Sequence, residues 1–173
     1  GEMHMKLELV DLKRRYLSLK PEIDATIKKV IDNTSFIKGE EVTLFEKEFA
    51  SYCNKARGIG CANGTVALHL ALLAMGIGKG DEVITVPNTF IATSESVSYV
   101  GGKVKFVDIE KESMLMDMDK LEKAITPKTK AVIPVHLYGQ MADMKRLMEI
   151  AEKHDLKIIE DCAQCHGSEQ NGK

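Results

Sequence analysis

The 173-residue chain has no tryptophan, and its 5 phenylalanines and 4 tyrosines are not interleaved with basic residues. A platform for stacked nucleobases needs both together, so no nucleic acid partner is expected. Charge of one sign is also lacking: Lys+Arg 24 against Asp+Glu 26 gives a formal net charge of −2. No global field therefore draws the chain to nucleic acid or to an anionic membrane. Nowhere do about 18 apolar residues follow one another, so no membrane-spanning helix is expected. The opening "GEMHMKLELVDLKRRY" has no apolar run ahead of a small-residue cleavage site, and no secretory leader is expected in it. "GEMHM" reads as a cloning remnant without fold information. Cysteines are few: Cys53, Cys61, Cys162 and Cys165. Without an export signal they are expected to be free thiols, which places the protein in the cytoplasm.

What is present is order in the apolar positions. Ile23, Ile27, Val30 and Ile31 follow i, i+4, i+7, i+8 and predict an amphipathic helix beginning after Pro21. Gly39 interrupts the pattern, and Val42, Phe45 and Phe49 resume a helical face. From residue 57 the chain alternates. The runs "RGIGCA" (57–62), "EVITVP" (82–87), "KVKFVD" (103–108), "KAVIPV" (130–135) and "KIIED" (157–161) are predicted strands. Helical patterns such as 65–76 and 141–155 lie between them. Strands apolar on both faces and alternating with helices predict an α/β fold, a mainly parallel sheet covered by helices. The helix over 65–75 is apolar nearly all round and is expected to be buried, with Gly76 ending it. The length suits one domain with a sizeable core.

Open α/β sheets bind ligands at the carboxyl ends of their strands. The residues that follow the predicted strands are Asn63-Gly64-Thr65, Asn88-Thr89-Phe90, Asp108, His136 to Gly139, and Asp161 with Gln164. Gly64 and Thr65 open a helix, where free amides favour an anion; a plain N-cap explains the same residues. Phe90 either covers a planar ring or fills the core beneath the rim. His136 and His69 are expected to be structural. Asp161 closes an apolar run, so its carboxylate needs a partner: a ligand, a helix cap or an internal salt bridge. "GIGKG" (76–80) precedes a strand, the wrong context for a dinucleotide fingerprint, and is a turn. Cys162-x-x-Cys165-His166 has the spacing of a haem attachment or half a zinc site, but Cys53 and Cys61 supply no matching pair, and no metal is expected.

Taken in order, "FIKGEEVTLFEKEFASYC", "NGTVALHLALLAMGIGKGDEVITVPNTFIAT", "GGKVKFVDIE", "ITPKTKAVIPVHLYGQMADM" and "IIEDCAQCHGS" resemble the DegT–StrS sugar aminotransferases. These are pyridoxal-phosphate (PLP) enzymes of fold type I. The resemblance runs from about residue 7 to the end of the chain. It implies a three-layer α/β/α large domain, incomplete here, with residues 1–38 as an N-terminal arm and helix and 39–173 as the first part of the PLP-binding domain. It further implies that Gly64 and Thr65 bind the cofactor phosphate, Phe90 stacks on the ring, Asp161 pairs with the ring nitrogen, and Gln164 contacts the ring hydroxyl. Asp161 is thereby the expected catalytic residue among those present.

The implied activity is transfer of an amino group from an amino acid to a nucleotide-linked keto-sugar, by a homodimer. In the family the Schiff-base lysine belongs to a motif downstream of Asp-x-x-Gln, and Lys173 does not match it. The expectation is a chain that holds the cofactor but is inactive alone. Two alternatives stay open: a sugar dehydratase of the same family, which carries histidine in place of that lysine, and an inert binding or assembly fragment.

Overall fold

The computed structural model describes residues 10–172, which fall into two compact units that meet in sequence at Gly60 and Cys61. In the first unit, α1 spans Leu12–Asp32 and α2 spans Glu40–Tyr52. The helix predicted after Pro21 begins earlier. Asp11 caps it, accepting the Arg14 amide at 2.8 Å, and Pro21 lies inside. An interior proline forfeits one backbone hydrogen bond. Side chains bridge the weakened turn: the Tyr16 hydroxyl donates to Asp24 at 2.8 Å, and Lys20 also pairs with Asp24. Lys29 reaches Glu41 at 3.0 Å and ties α1 to α2. On α2, Phe45 and Phe49 stack at 5.4 Å as their spacing implies, yet both remain exposed.

The run 57–62 corrects the expectation of a strand. It is irregular and has no ladder partner among the described residues. Two glycines weaken its strand preference, and the Gly60 amide is bonded to the Glu46 carboxylate at 2.7 Å rather than to a neighbouring strand.

The second unit begins with α3, Gly64–Ala74, and continues β1 Glu82–Thr85, α4 Ala92–Tyr99 and β2 Lys103–Phe106. Then come α5 Met118–Ala124, β3 Thr129–Val132, α6 Met144–His154 and β4 Lys157–Ile158. The four strands pair in the order β2-β1-β3-β4, all parallel. Successive side chains alternate between two cores. Val83, Ala131 and Ile133 pack with Leu68 and Leu72 of α3 and Val97 of α4. Ile84 and Val132 pack with Leu121 of α5 and with Leu147 and Ile150 of α6. The sheet is thus the middle of three layers, with one helix pair on each face. Ile84, Leu72, Leu121 and Leu147 are fully enclosed, and each such side chain contributes roughly 1.5–3 kcal/mol by leaving water.

Asn63 caps α3 through the Val66 amide at 3.0 Å, and Gly76 (φ +74°) ends it as expected. The all-round burial expected of α3 is corrected. Leu68 and Leu72 face the core, while Leu70 and Leu73 are about half exposed. The sheet covers only one stripe of the helix.

Candidate functional site

All four strands point the same way, so their carboxyl ends form one rim. Beyond β4 the backbone continues in register with the segment after β3. The Asp161 amide donates to the Pro134 carbonyl at 3.0 Å, and the His136 amide donates to the Asp161 carbonyl at 3.2 Å. These bonds hold Asp161 at the rim, half-buried. One carboxylate oxygen, Oδ2, accepts the Thr93 hydroxyl at 2.8 Å; the other, Oδ1, accepts the Ala163 amide at 3.2 Å.

Gln164 lies on the same turn. Its Oε1 accepts the Tyr138 amide at 3.0 Å. A backbone amide can only donate, so the side-chain amide is fixed with its NH2 group turned away from Tyr138. That group meets no protein partner among the described residues. Tyr138 has φ +59° and Gly139 φ +79°. A left-handed tyrosine is strained backbone, and here it brings the amide to Gln164.

Gly64 and Thr65 form the first turn of α3. The cap uses Asn63 on Val66, which leaves the Gly64 and Thr65 amides without partners within the helix. The cap and anion readings therefore coexist on neighbouring residues. A Cβ at Gly64 would meet nothing within 4 Å, so the space above it is open. Phe90 is 73% exposed and does not fill the core. Asn88 Nδ2 donates to the Met114 carbonyl at 3.0 Å, while its Oδ1 is buried with no hydrogen-bond partner.

His136 is fully enclosed and serves the scaffold. Its Nδ1 accepts the Ala142 amide at 3.1 Å, which puts the ring proton on Nε2, where it is donated to Glu160 at 3.0 Å. His136, Glu160 and Cys162 bring three ligand-type atoms within 4.8 Å of one another. The tautomer opposes a metal there. A metal-bound histidine donates through its second nitrogen, whereas this one accepts. The Cys162 residue reaches solvent, but its sulfur turns inward toward this cluster, and burial pushes the thiol up to about 12. Burial raises the Cys165 thiol as well. Neither sulfur has the lowered pKa of a reactive or ligating cysteine.

Residues 18–173 match the DegT/DnrJ/EryC1/StrS aminotransferase family. The chain belongs to that family. It is 49% identical over 167 residues to the UDP-N-acetyl-3-dehydro-alpha-D-glucosamine 3-aminotransferase of Acidithiobacillus ferrooxidans, covering 96% of this chain and 45% of the relative. The crystal structure of DesV from S. venezuelae in complex with a ketimine intermediate superposes with a TM-score of 0.92 at 44% identity, over 94% of this chain and 44% of that one. NtdA from Bacillus subtilis, solved with bound cofactor PMP, superposes with a TM-score of 0.86 at 39% identity, over 90% of this chain and 36% of that one. The chain spans just under half the length of the curated relatives it matches. These DegT/StrS relatives share the fold type I architecture, and their complexes point to pyridoxal phosphate as the family's cofactor.

The donor set at the rim fits that cofactor. The open helix start suits a phosphate, the acceptor-only Asp161 a protonated ring nitrogen, the free NH2 of Gln164 a ring hydroxyl oxygen, and exposed Phe90 a flat ring. The structure brings Asp161 and Gln164 together on one turn. Among the described residues, Gly64 and Thr65 at the start of α3 and Phe90 after β1 make no hydrogen bond to that turn. Sequence reasoning named Asn88 only as a residue following a strand and missed Thr93 and Glu160. Only Thr93 left a trace, as a hydroxyl within the motif that also contains Phe90. No helix of the described residues is long and apolar enough to cross a membrane.

Proposed function

We propose that residues of this chain form the cofactor-holding part of a PLP-dependent aminotransferase acting on a nucleotide-linked keto-sugar, with an amino acid as nitrogen donor. The observation that carries the reading is Asp161, a carboxylate with one donor on each oxygen, held at the carboxyl rim beside the oriented amide of Gln164. When bound, pyridoxal phosphate supplies an electron sink for the substrate carbon that loses its proton. Asp161 would hold a proton at the ring nitrogen and so keep the sink effective. Gln164 would donate from Nε2 to the ring hydroxyl oxygen. The Gly64 and Thr65 amides and the Thr65 hydroxyl would hold the phosphate at the start of α3. Phe90 would cover one ring face and keep water from it.

We further propose that the Schiff-base lysine is not among these residues, so that this chain holds the cofactor and turnover belongs to the whole protein; the curated relatives are about twice as long as this chain. The proposal includes a cytoplasmic homodimer, with residues 1–38 as N-terminal arm and helix and 39–173 as the first part of the large PLP-binding domain; of these, 1–9 and 173 lie outside the described residues.

The test is titration of the 173-residue chain with pyridoxamine phosphate, which needs no lysine, followed by absorbance. Saturable binding that Asp161→Asn weakens is the expected result. No saturation, or equal affinity in the variant, would sink the reading. In the parent protein, amino transfer to a nucleotide keto-sugar should likewise collapse with Asp161→Asn.

A further inference from the structure

The Asp161 carboxylate has a neighbour that the functional reading above does not use. Thr93 lies in the first turn of α4, on a different segment from Asp161, and is 1% exposed. A hydroxyl so enclosed is costly unless it is hydrogen-bonded. Its bonds have a direction. An ionised carboxylate only accepts, so Thr93 Oγ1 donates its one proton to Asp161 Oδ2 at 2.8 Å. The remaining contact, Thr89 Oγ1 at 3.4 Å, must then donate to Thr93. The result is a relay from Thr89 through Thr93 to Asp161, running from the carboxyl end of β1 across to the turn after β4.

The other carboxylate oxygen is held from its own turn by the Ala163 amide. Two donors on two separate segments stop the carboxylate from rotating about its last bond. Each oxygen keeps acceptor capacity beyond these bonds, and the direction of that capacity is set by Thr93.

We infer that Thr93 is a positioning residue for the cofactor site: its buried hydroxyl aims the Asp161 carboxylate at the ring nitrogen. This rests on the assignment of Asp161 proposed above. Thr93 touches no reacting atom in this scheme; it acts through Asp161. The plain alternative is a satisfied polar group in the helix–sheet interface, with no bearing on the ligand.

The two differ in what a ring nitrogen does for binding. The experiment compares pyridoxamine phosphate with its analogue in which the ring nitrogen is replaced by carbon, both titrated into the 173-residue chain. The wild-type chain is expected to prefer the nitrogen ring. Thr93→Val keeps the shape and removes the donor. It should weaken pyridoxamine phosphate about tenfold, the worth of one hydrogen bond to a charged group, and leave the carbon analogue unchanged. Thr93→Ser restores the hydroxyl and should return the preference to within about threefold of wild type.

A preference for the nitrogen ring that survives intact in Thr93→Val overturns this inference alone. A wild-type chain that binds both compounds equally, or neither, overturns the role of Asp161 and the inference with it. If Thr93→Val does not fold, Thr89→Val removes only the outer donor. It should then weaken pyridoxamine phosphate selectively by about threefold, and an unchanged preference there overturns the inference.

Discussion

At the amino ends of the strands, Glu82 sits almost fully enclosed, its Oε2 accepting the Thr126 hydroxyl at 2.6 Å and its Oε1 accepting Lys103 at 3.2 Å. Thr129 Oγ1 accepts the Thr126 amide at 2.9 Å, and the Glu82 amide donates to the Lys128 carbonyl at 2.8 Å. That network closes on itself. At the carboxyl ends the polar groups are similar in kind but do not close. The NH2 group of Gln164, the buried Asn88 Oδ1 and the first amides of α3 lack protein partners among the described residues, and Phe90 is exposed. Buried polar groups are normally satisfied, and at this rim the buried Asn88 Oδ1 is the exception. The open donors lie on residues that reach solvent, where the proposed cofactor could meet them.

The strongest way to break this comparison is Asp161→Asn. It should weaken pyridoxamine phosphate binding roughly 10- to 100-fold, as expected for a hydrogen bond to a charged group, while the thermal midpoint hardly moves. A large fall in midpoint with binding retained would class the carboxyl rim with the amino rim. Phe90→Ala comes next. An exposed ring that only stacks on a ligand should cost roughly two- to tenfold in affinity and change stability by no more than about 0.5 kcal/mol. Equilibrium unfolding in urea beside the same titration checks both halves.

Glu82 supplies the opposite signature. The Thr126 hydroxyl first, and then Lys103, hold its carboxyl below the usual carboxylate range. A carboxyl lowered by folding contributes stability that is present above its unfolded pKa and is lost as pH falls through its folded value. Glu82→Gln should therefore flatten the acid side of the stability profile and leave cofactor affinity unchanged. Urea midpoints measured from neutral pH down to about 3 span the carboxylate range; an unaltered slope would mean the network contributes nothing. The smallest effect is expected of Cys162→Ala with Cys165→Ala. Both thiols are held protonated by burial, so pyridoxamine phosphate affinity should stay within about twofold. A larger loss in the titration would give the sulfurs a role at the site.

Much of this was legible in the chain because its signals are local. Helix and strand periods show in a few consecutive residues, so strand–helix alternation predicted four parallel strands near their observed places, along with the Gly76 stop. It failed at 57–62, because a strand exists only where another strand takes its hydrogen bonds, and the Gly60 amide goes to Glu46 instead. It failed again at Pro21, where the side chains of Tyr16, Lys20 and Asp24 carry the helix across.

By itself, then, the sequence determined the alternation of strands and helices, the turn after the last strand that carries Asp161 and Gln164, and the family. The tertiary structure decided which groups at the carboxyl rim are already spoken for. Thr93 finds Asp161 only because β1 and β3 lie side by side at the centre of the sheet, with β4 on the far side of β3. Gln164 takes its orientation from a left-handed tyrosine in the segment after β3. Hydrogen bonds between segments far apart in sequence depend on strand order and register, and no local period encodes either.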